Sequence, residues 1–208
     1  MPVERIQIKQ PCLLVVEGKE EGLFFEAFNR HLGLQKIQVL PIGGKERLSE
    51  TLKALVNSPG FSGKVVSLGI IRDADTDPQA AFQSVCNALC AAGLPIPTRP
   101  LLSTPSDERP KVGVMILPAE NESGMLEDLC LRAVAETPAM RCVTRYFECL
   151  RQQGLAEPRN LSKAKTQVFL ASRSEAGLRL GEAAQKGFWP WDAPAFDPLK
   201  SFLQQIAC

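Results

Sequence analysis

Histidine is almost missing from this chain: His31 stands alone among 208 residues. The seven cysteines, Cys12, Cys86, Cys90, Cys130, Cys142, Cys149 and Cys208, include no CxxC pair, so a zinc site lacks its usual nitrogen and sulfur ligands. Most lie in apolar stretches, where a thiol behaves as a small hydrophobe. No histidine or basic cluster sits near one to make it a nucleophile. An odd, scattered set of thiols is expected of a reducing cytoplasm rather than of a disulfide framework. No apolar run approaches the length of a membrane span, and no signal peptide is evident at the start. Strong charge is missing too. The net charge of +1 provides no global basic field for nucleic acid. Its distribution is uneven: residues 1–140 hold 14 Lys+Arg against 17 Asp+Glu, whereas residues 141–186 hold 9 against 4. A surface facing a polyanion is expected in the second half.

What is present is ordinary globular composition, 45% hydrophobic and 23% charged. That suffices for one domain with a core of its own. Over the first 120 residues, short apolar runs alternate with helix-period segments. Strands are predicted at 12–16, 37–42, 65–71 and 111–117, and helices at 19–32, 46–56 and 78–90. Gly33 stops the first helix, and Asp77-Pro78 supplies an N-cap and N1 pair for the third. The Pro-rich stretch 95–110 reads as a loop or short edge strand. This alternation predicts an α/β fold, Rossmann-like, with a mostly parallel four-stranded sheet flanked by helices. Strands one and three are expected to be adjacent, and the direction of the fourth stays open. From residue 121 the pattern turns helical, at about 124–135, 139–153, 162–172, 175–186 and 196–206. The chain thus divides into an α/β core over 1–120 and a helical extension over 121–208 packed on it.

Functional groups of an open parallel sheet gather beyond the carboxyl ends of its strands. Glu17 follows the first strand in Val16-Glu17-Gly18-Lys19, and Asp73 and Asp75 follow the third in Arg72-Asp73-Ala74-Asp75. Adjacent strands lie about 4.8 Å apart. If the backbone stays extended, both aspartates point one way, toward Glu17. Three converging carboxylates repel unless a cation neutralises them, and oxygen-only ligands suit Mg²⁺ or Mn²⁺. The competing explanation is structural: Asp73 to Asp77 cap the next helix, and Glu17 precedes a solvated first turn.

The Val-Glu-Gly-Lys segment after the first strand and Asp-Ala-Asp after the third resemble the TOPRIM domain of topoisomerases, bacterial primases and overcoming-lysogenization-defect (OLD) nucleases. The likeness covers roughly residues 10–120. It implies magnesium bound by Glu17, Asp73 and Asp75, with Glu17 also moving protons. The segment Pro118–Leu129 is similar to one in OLD-like and small stand-alone TOPRIM proteins, where a further glutamate joins the metal site. Here that implies Glu127, with Asp128, Glu122 and Glu120 as lesser candidates; the alternative is a first-turn carboxylate complementing a helix dipole. Lys163 and Lys165 resemble a phosphate-facing lysine of the same enzymes, with a solvated helix face as the alternative. For a nucleic-acid substrate, these lysines and some of Arg145, Arg159 and Arg173 are expected to border the carboxylate cleft.

The implied function is Mg-dependent phosphodiester hydrolysis or phosphoryl transfer on nucleic acid. Tyr146, the single tyrosine, falls in a helical pattern, so no topoisomerase-type nucleophile is evident. The alternative is a non-catalytic metal-binding module serving a larger complex, its ATPase partner supplied in trans. Other features are expected to be structural. Gly43-Gly44-Lys45 lacks the full phosphate-loop spacing and reads as a turn. His31 sits at a helix end. Phe188, Trp189, Trp191 and Phe196 could stack on bases, but anchoring the last helix is the favoured role.

Overall fold

In the computed structural model, residues 6–105 and 110–207 are described. Strands β1 (Cys12–Val16), β2 (Ile37–Pro41), β3 (Ser67–Asp73) and β4 (Lys111–Leu117) form one all-parallel sheet in the order β2-β1-β3-β4. The fourth strand, of open direction in the sequence, therefore runs parallel. Helices follow as α1 (Lys19–His31), α2 (Leu48–Val56), α3 (Phe61–Lys64), α4 (Pro78–Ala91), α5 (Leu126–Ala133), α6 (Pro138–Gln152), α7 (Leu161–Ala171), α8 (Leu180–Gln185) and α9 (Asp197–Ile206). Asp77 caps α4 as expected, its side chain accepting from the Ala80 N–H.

Strand alternation sorts the apolar residues into two layers. Leu14, Val16, Ile71, Met115 and Leu117 face a core shared with α1 and the helices after residue 125. Leu13, Val15, Leu68, Ile70, Val114 and Ile116 face the core under α2 and α4. Both faces are covered, which is why the strands are apolar throughout rather than alternating. The first layer carries the rings. Phe24, Phe28, Trp191 and Phe196 pack on one another, and Trp189 stacks on Phe169 while its indole N–H donates to the Leu180 carbonyl. Trp189 and Phe196 are buried, so these rings anchor the structure rather than offer a stacking surface.

Helix α9 lies against β3 and the edge strand β4 because Gly69 and Gly113 leave room for it. A Cβ on Gly69 would stand 2.9 Å from Leu14 Cδ1 and 3.2 Å from Ile206 Cγ1, and one on Gly113 would stand 2.8 Å from Ile206 Cδ1.

Several boundaries differ from the sequence expectation. The third strand begins at Ser67 and reaches Asp73, two residues later than its apolar run. Val65 instead caps the one-turn helix α3, absent from the sequence reading, and Val66 leads into the strand, its N–H donating to the Pro11 carbonyl. The expected 46–56 helix splits into a 3-10 turn at Lys45–Arg47 and α2, and the expected 175–186 helix condenses to α8. The Pro-rich stretch forms no strand among its described residues. It still lies along β4, with Leu101 and Thr104 N–H groups donating to the Val114 and Val112 carbonyls. Residues 106–109 of that stretch lie outside the described ones, as does Cys208. Among the described residues, no helix is long and apolar enough to cross a membrane.

Candidate functional site

The chain leaves β1 toward β2 on one side and β3 toward β4 on the other, so β1 and β3 flank the switch point of the sheet. Their register pairs Val15 with Ile70. Continued two residues, it sets Glu17 opposite Arg72, beside Asp73. The Asp73 backbone N–H donates to the Glu17 carboxylate. Arg72 Nε lies 3.6 Å from Glu17 Oε1, close enough to attract but too far to hydrogen-bond. Both atoms are buried without a hydrogen-bond partner among the described residues.

Asp73 sits at the end of β3 with its Oδ1 accepting from the Leu126 N–H, 3.0 Å away at the start of α5. That contact fixes α5 over the site and brings Glu127 into its field. Burial, then Glu17, Glu21 and Glu127 in turn, push the Asp73 carboxyl up to about 8. Glu17 is also raised, first by burial and further by Asp75 and Glu21, with Arg72 opposing. Burial raises Glu127 as well, offset by its own backbone N–H and by Lys163, whose Nζ stands 3.9 Å from Glu127 Oε1. Glu21, four residues beyond Glu17 in the first turn of α1, acts on Glu17, Asp73 and Glu127 together.

Asp75 departs from the extended geometry that would aim it alongside Asp73. Its φ is 53°, in the left-handed region that aspartate tolerates. Its backbone pairs with Gly124 in an antiparallel bridge, and its Oδ2 receives Lys45 Nζ at 2.6 Å. The turn at Gly43-Gly44, where the Gly44 N–H donates to the Glu17 carbonyl, delivers that lysine. Asp75 still lies near enough to Glu17 to raise it.

The lesser candidates have structural tasks or stand apart. Asp128 accepts from the Met125 N–H and from Ser162, and Glu122 pairs with Arg132. Glu120 is exposed. Arg173 lies over the Phe169 ring, and among the described residues Lys165, Arg145 and Arg159 form no ion pair with the site carboxylates. His31 faces Asp192 and Trp191. Cys130 is buried beneath Glu127 and Asp73, and burial pushes its thiol well up, the opposite of activation.

Among the described residues, no three His, Cys, Asp or Glu side chains form a ready-made group for a metal ion. Magnesium does not require one: it is commonly held by one or two carboxylates, water and substrate phosphate. Glu17 and Asp73 in contact, the unpartnered Glu17 Oε1 and the raised proton affinity of Asp73 fit a hard cation on that footing.

The sequence profile of a family described as a protein of unknown function, DUF3226, matches residues 11–208. The chain belongs to the DUF3226 family. Among curated proteins none matches. The C-terminal region of the Xanthomonas campestris pv. campestris OLD protein is similar to this DUF3226 chain at 19% identity, covering 95% of this chain and 94% of that one, with a TM-score of 0.49. The C-terminal region of the Burkholderia pseudomallei OLD protein is similar at 15% identity, covering 96% and 98%, with a TM-score of 0.48. Both are loose likenesses of outline, and the chemistry of this DUF3226 member is read from its own side chains.

Proposed function

We propose that this protein is a TOPRIM-type, Mg²⁺- or Mn²⁺-dependent enzyme that hydrolyses phosphodiester bonds in nucleic acid. The observation that carries the reading is the Glu17–Asp73 contact at the switch point, with both carboxylates raised by burial and like charge. A structural cap would be solvated; these groups are crowded and partly desolvated, as functional carboxylates are.

Glu17 and Asp73 would hold the ion, with Asp75 and Glu127 completing its surroundings. When bound, the ion would supply polarisation of the scissile phosphate and a more acidic water. Glu17 is the residue placed to take a proton at Oε1, since burial already raises its basicity. Lys163, 58% exposed at its side chain, would reach a non-bridging phosphate oxygen after leaving Glu127. Arg72 would keep Glu17 ionised and oriented. Metal-dependent cleavage of DNA and RNA by the purified protein, lost in Glu17→Gln and Asp73→Asn, tests this. No cleavage by the wild type under any divalent metal would refute it.

A second reading draws on Lys45 and Arg72. These cations compensate Asp75 and Glu17 from within the fold, as suits a non-catalytic module working beside a separate ATPase. Cleavage that appears only when such an ATPase is added would favour the two-component form.

A further inference from the structure

A cavity of about 540 Å³ adjoins the carboxylates, sharing Glu21 and Glu127 with them and extending between α7 and α8. Its aliphatic wall comes from Leu126, Leu170, Leu178 and Leu180, and Glu20, Glu21 and Glu127 line it as well. Thr166 and Gln167 add two uncharged polar groups. Thr166 is only 3% exposed, and its hydroxyl has no hydrogen-bond partner among the described residues. A buried hydroxyl left unpaired is destabilising, so the fold alone would favour valine at this position. Gln167 adds an amide that both donates and accepts. Lys163 and Arg179 stand at the rim, each within 3.9 Å of a glutamate that an anion would displace.

The occupant these walls describe has apolar faces, a hydrogen-bonding edge and an anionic group toward Lys163 and Arg179. We propose that the cavity receives one unpaired nucleobase adjoining the scissile phosphate, making single-stranded or frayed nucleic acid the substrate. The size falls within the range of small-molecule sites. A base stacked and paired in duplex could not enter without leaving the helix, which costs energy that an unpaired base does not pay. The substrate inference rests on the phosphodiester reading of the carboxylates.

The pocket itself can be tested apart from catalysis, by saturation-transfer NMR with millimolar dAMP and with deoxyribose 5-phosphate as comparator. Saturation of the adenine ring protons is expected for the wild type, and it should persist in Asp73→Asn. Thr166→Val should weaken dAMP by about five- to tenfold, the loss of one hydrogen bond, while melting no lower than wild type. Ala171→Trp should abolish the signal, because Ala171 lines the cavity from an exposed position and the indole fills it without entering the core. Adenine saturation absent from the wild type, or unchanged by Ala171→Trp, overturns the pocket. If cleavage occurs but duplex and single strand are cut equally, the substrate inference falls while the phosphodiester reading survives. Base binding without any metal-dependent cleavage overturns the phosphodiester reading and the substrate inference with it.

Discussion

The two flanks of the carboxylate cluster are built on opposite principles. Toward β2, each acid has a cation: Lys45 reaches Asp75 and Arg72 lies by Glu17. Toward α5 and α7, Asp73, Glu127 and Glu21 crowd together, and among the described residues the exposed Lys163 is the one cation paired with them. The first flank is self-neutralising and the second is not. A protein selected only for stability would pair or remove the second set, because each crowded carboxylate costs free energy when ionised. The uncompensated flank is therefore where an added cation or a substrate group has most to gain.

The largest difference between the flanks should appear in catalysis. Asp73→Asn and Glu17→Gln are expected to lower Mg²⁺-dependent cleavage by about 10²–10⁴-fold. Asp73→Asn should also remove the rise in melting temperature that Mg²⁺ gives the wild type. Cleavage assays beside thermal melts, with and without metal, check both. Equal activity in wild type and Asp73→Asn would end the metal reading.

The next effect is on stability without metal. The folded-state pKa of Asp73 is about 8, above its ordinary 3.8, so the folded form binds the proton more tightly than the unfolded chain. Between those values the folded state holds more protons, and stability must fall as pH rises from about 4 to about 8. Asp73→Asn keeps an oxygen for the Leu126 N–H and cannot ionise. It should flatten this slope and stabilise the metal-free protein at pH 8 by roughly 2–3 kcal/mol. Denaturant unfolding at pH 5 and pH 8 measures it; a variant less stable than wild type at both would reassign Asp73 to helix capping.

Smaller again is the contribution of Lys163. Its replacement by Ala should weaken single-stranded DNA binding about equally for all sequences and reduce the slope of log K against log salt by about 0.7. An unchanged slope in fluorescence titrations would return Lys163 to the solvated face of α7. The smallest effect is predicted for the paired flank. Lys45→Met removes a half-exposed ion pair worth about 0–1 kcal/mol. It frees Asp75, so the Mg²⁺-induced melting shift should grow slightly; a diminished shift would make Lys45 part of the substrate site.

The legibility of the molecule in its sequence followed the strength of each physical signal. Cys12–Val16 and Lys111–Leu117 are apolar runs with sharp ends, and both strands fall where they were expected. The third strand lies two residues beyond its expected bounds because hydrophobicity marks burial and not pairing. Val65 is buried at the close of α3, while Ser67 is buried inside the strand and Arg72 pairs with Ile116. For the candidate site, strand ends located Glu17 and Asp73, and the structure brings them together. Glu127 and Lys163 came only from resemblance, and they meet across α5 and α7. Glu21 stands outside the expected site although its spacing of four from Glu17 points to it. Lys45 and Arg72 stand outside it too, because the acids they face, Asp75 and Glu17, are distant from them in the chain. The direction of Asp75 depends on one backbone angle, which residue spacing does not encode.

The seat of α9 on Gly69 and Gly113 has a consequence for how the protein is made. The four strands are complete at Leu117, but Phe202 and Ile206, which cover Gly69 and Gly113 on β3 and β4, come at the other end of the second half. A ribosome adding about 5–20 residues per second needs roughly 4–18 s to travel from the one to the other. Throughout that interval the nascent sheet carries an uncovered apolar strip over its two glycines. Its escape from premature association then depends on what holds the emerging chain, as much as on the stability of the finished fold.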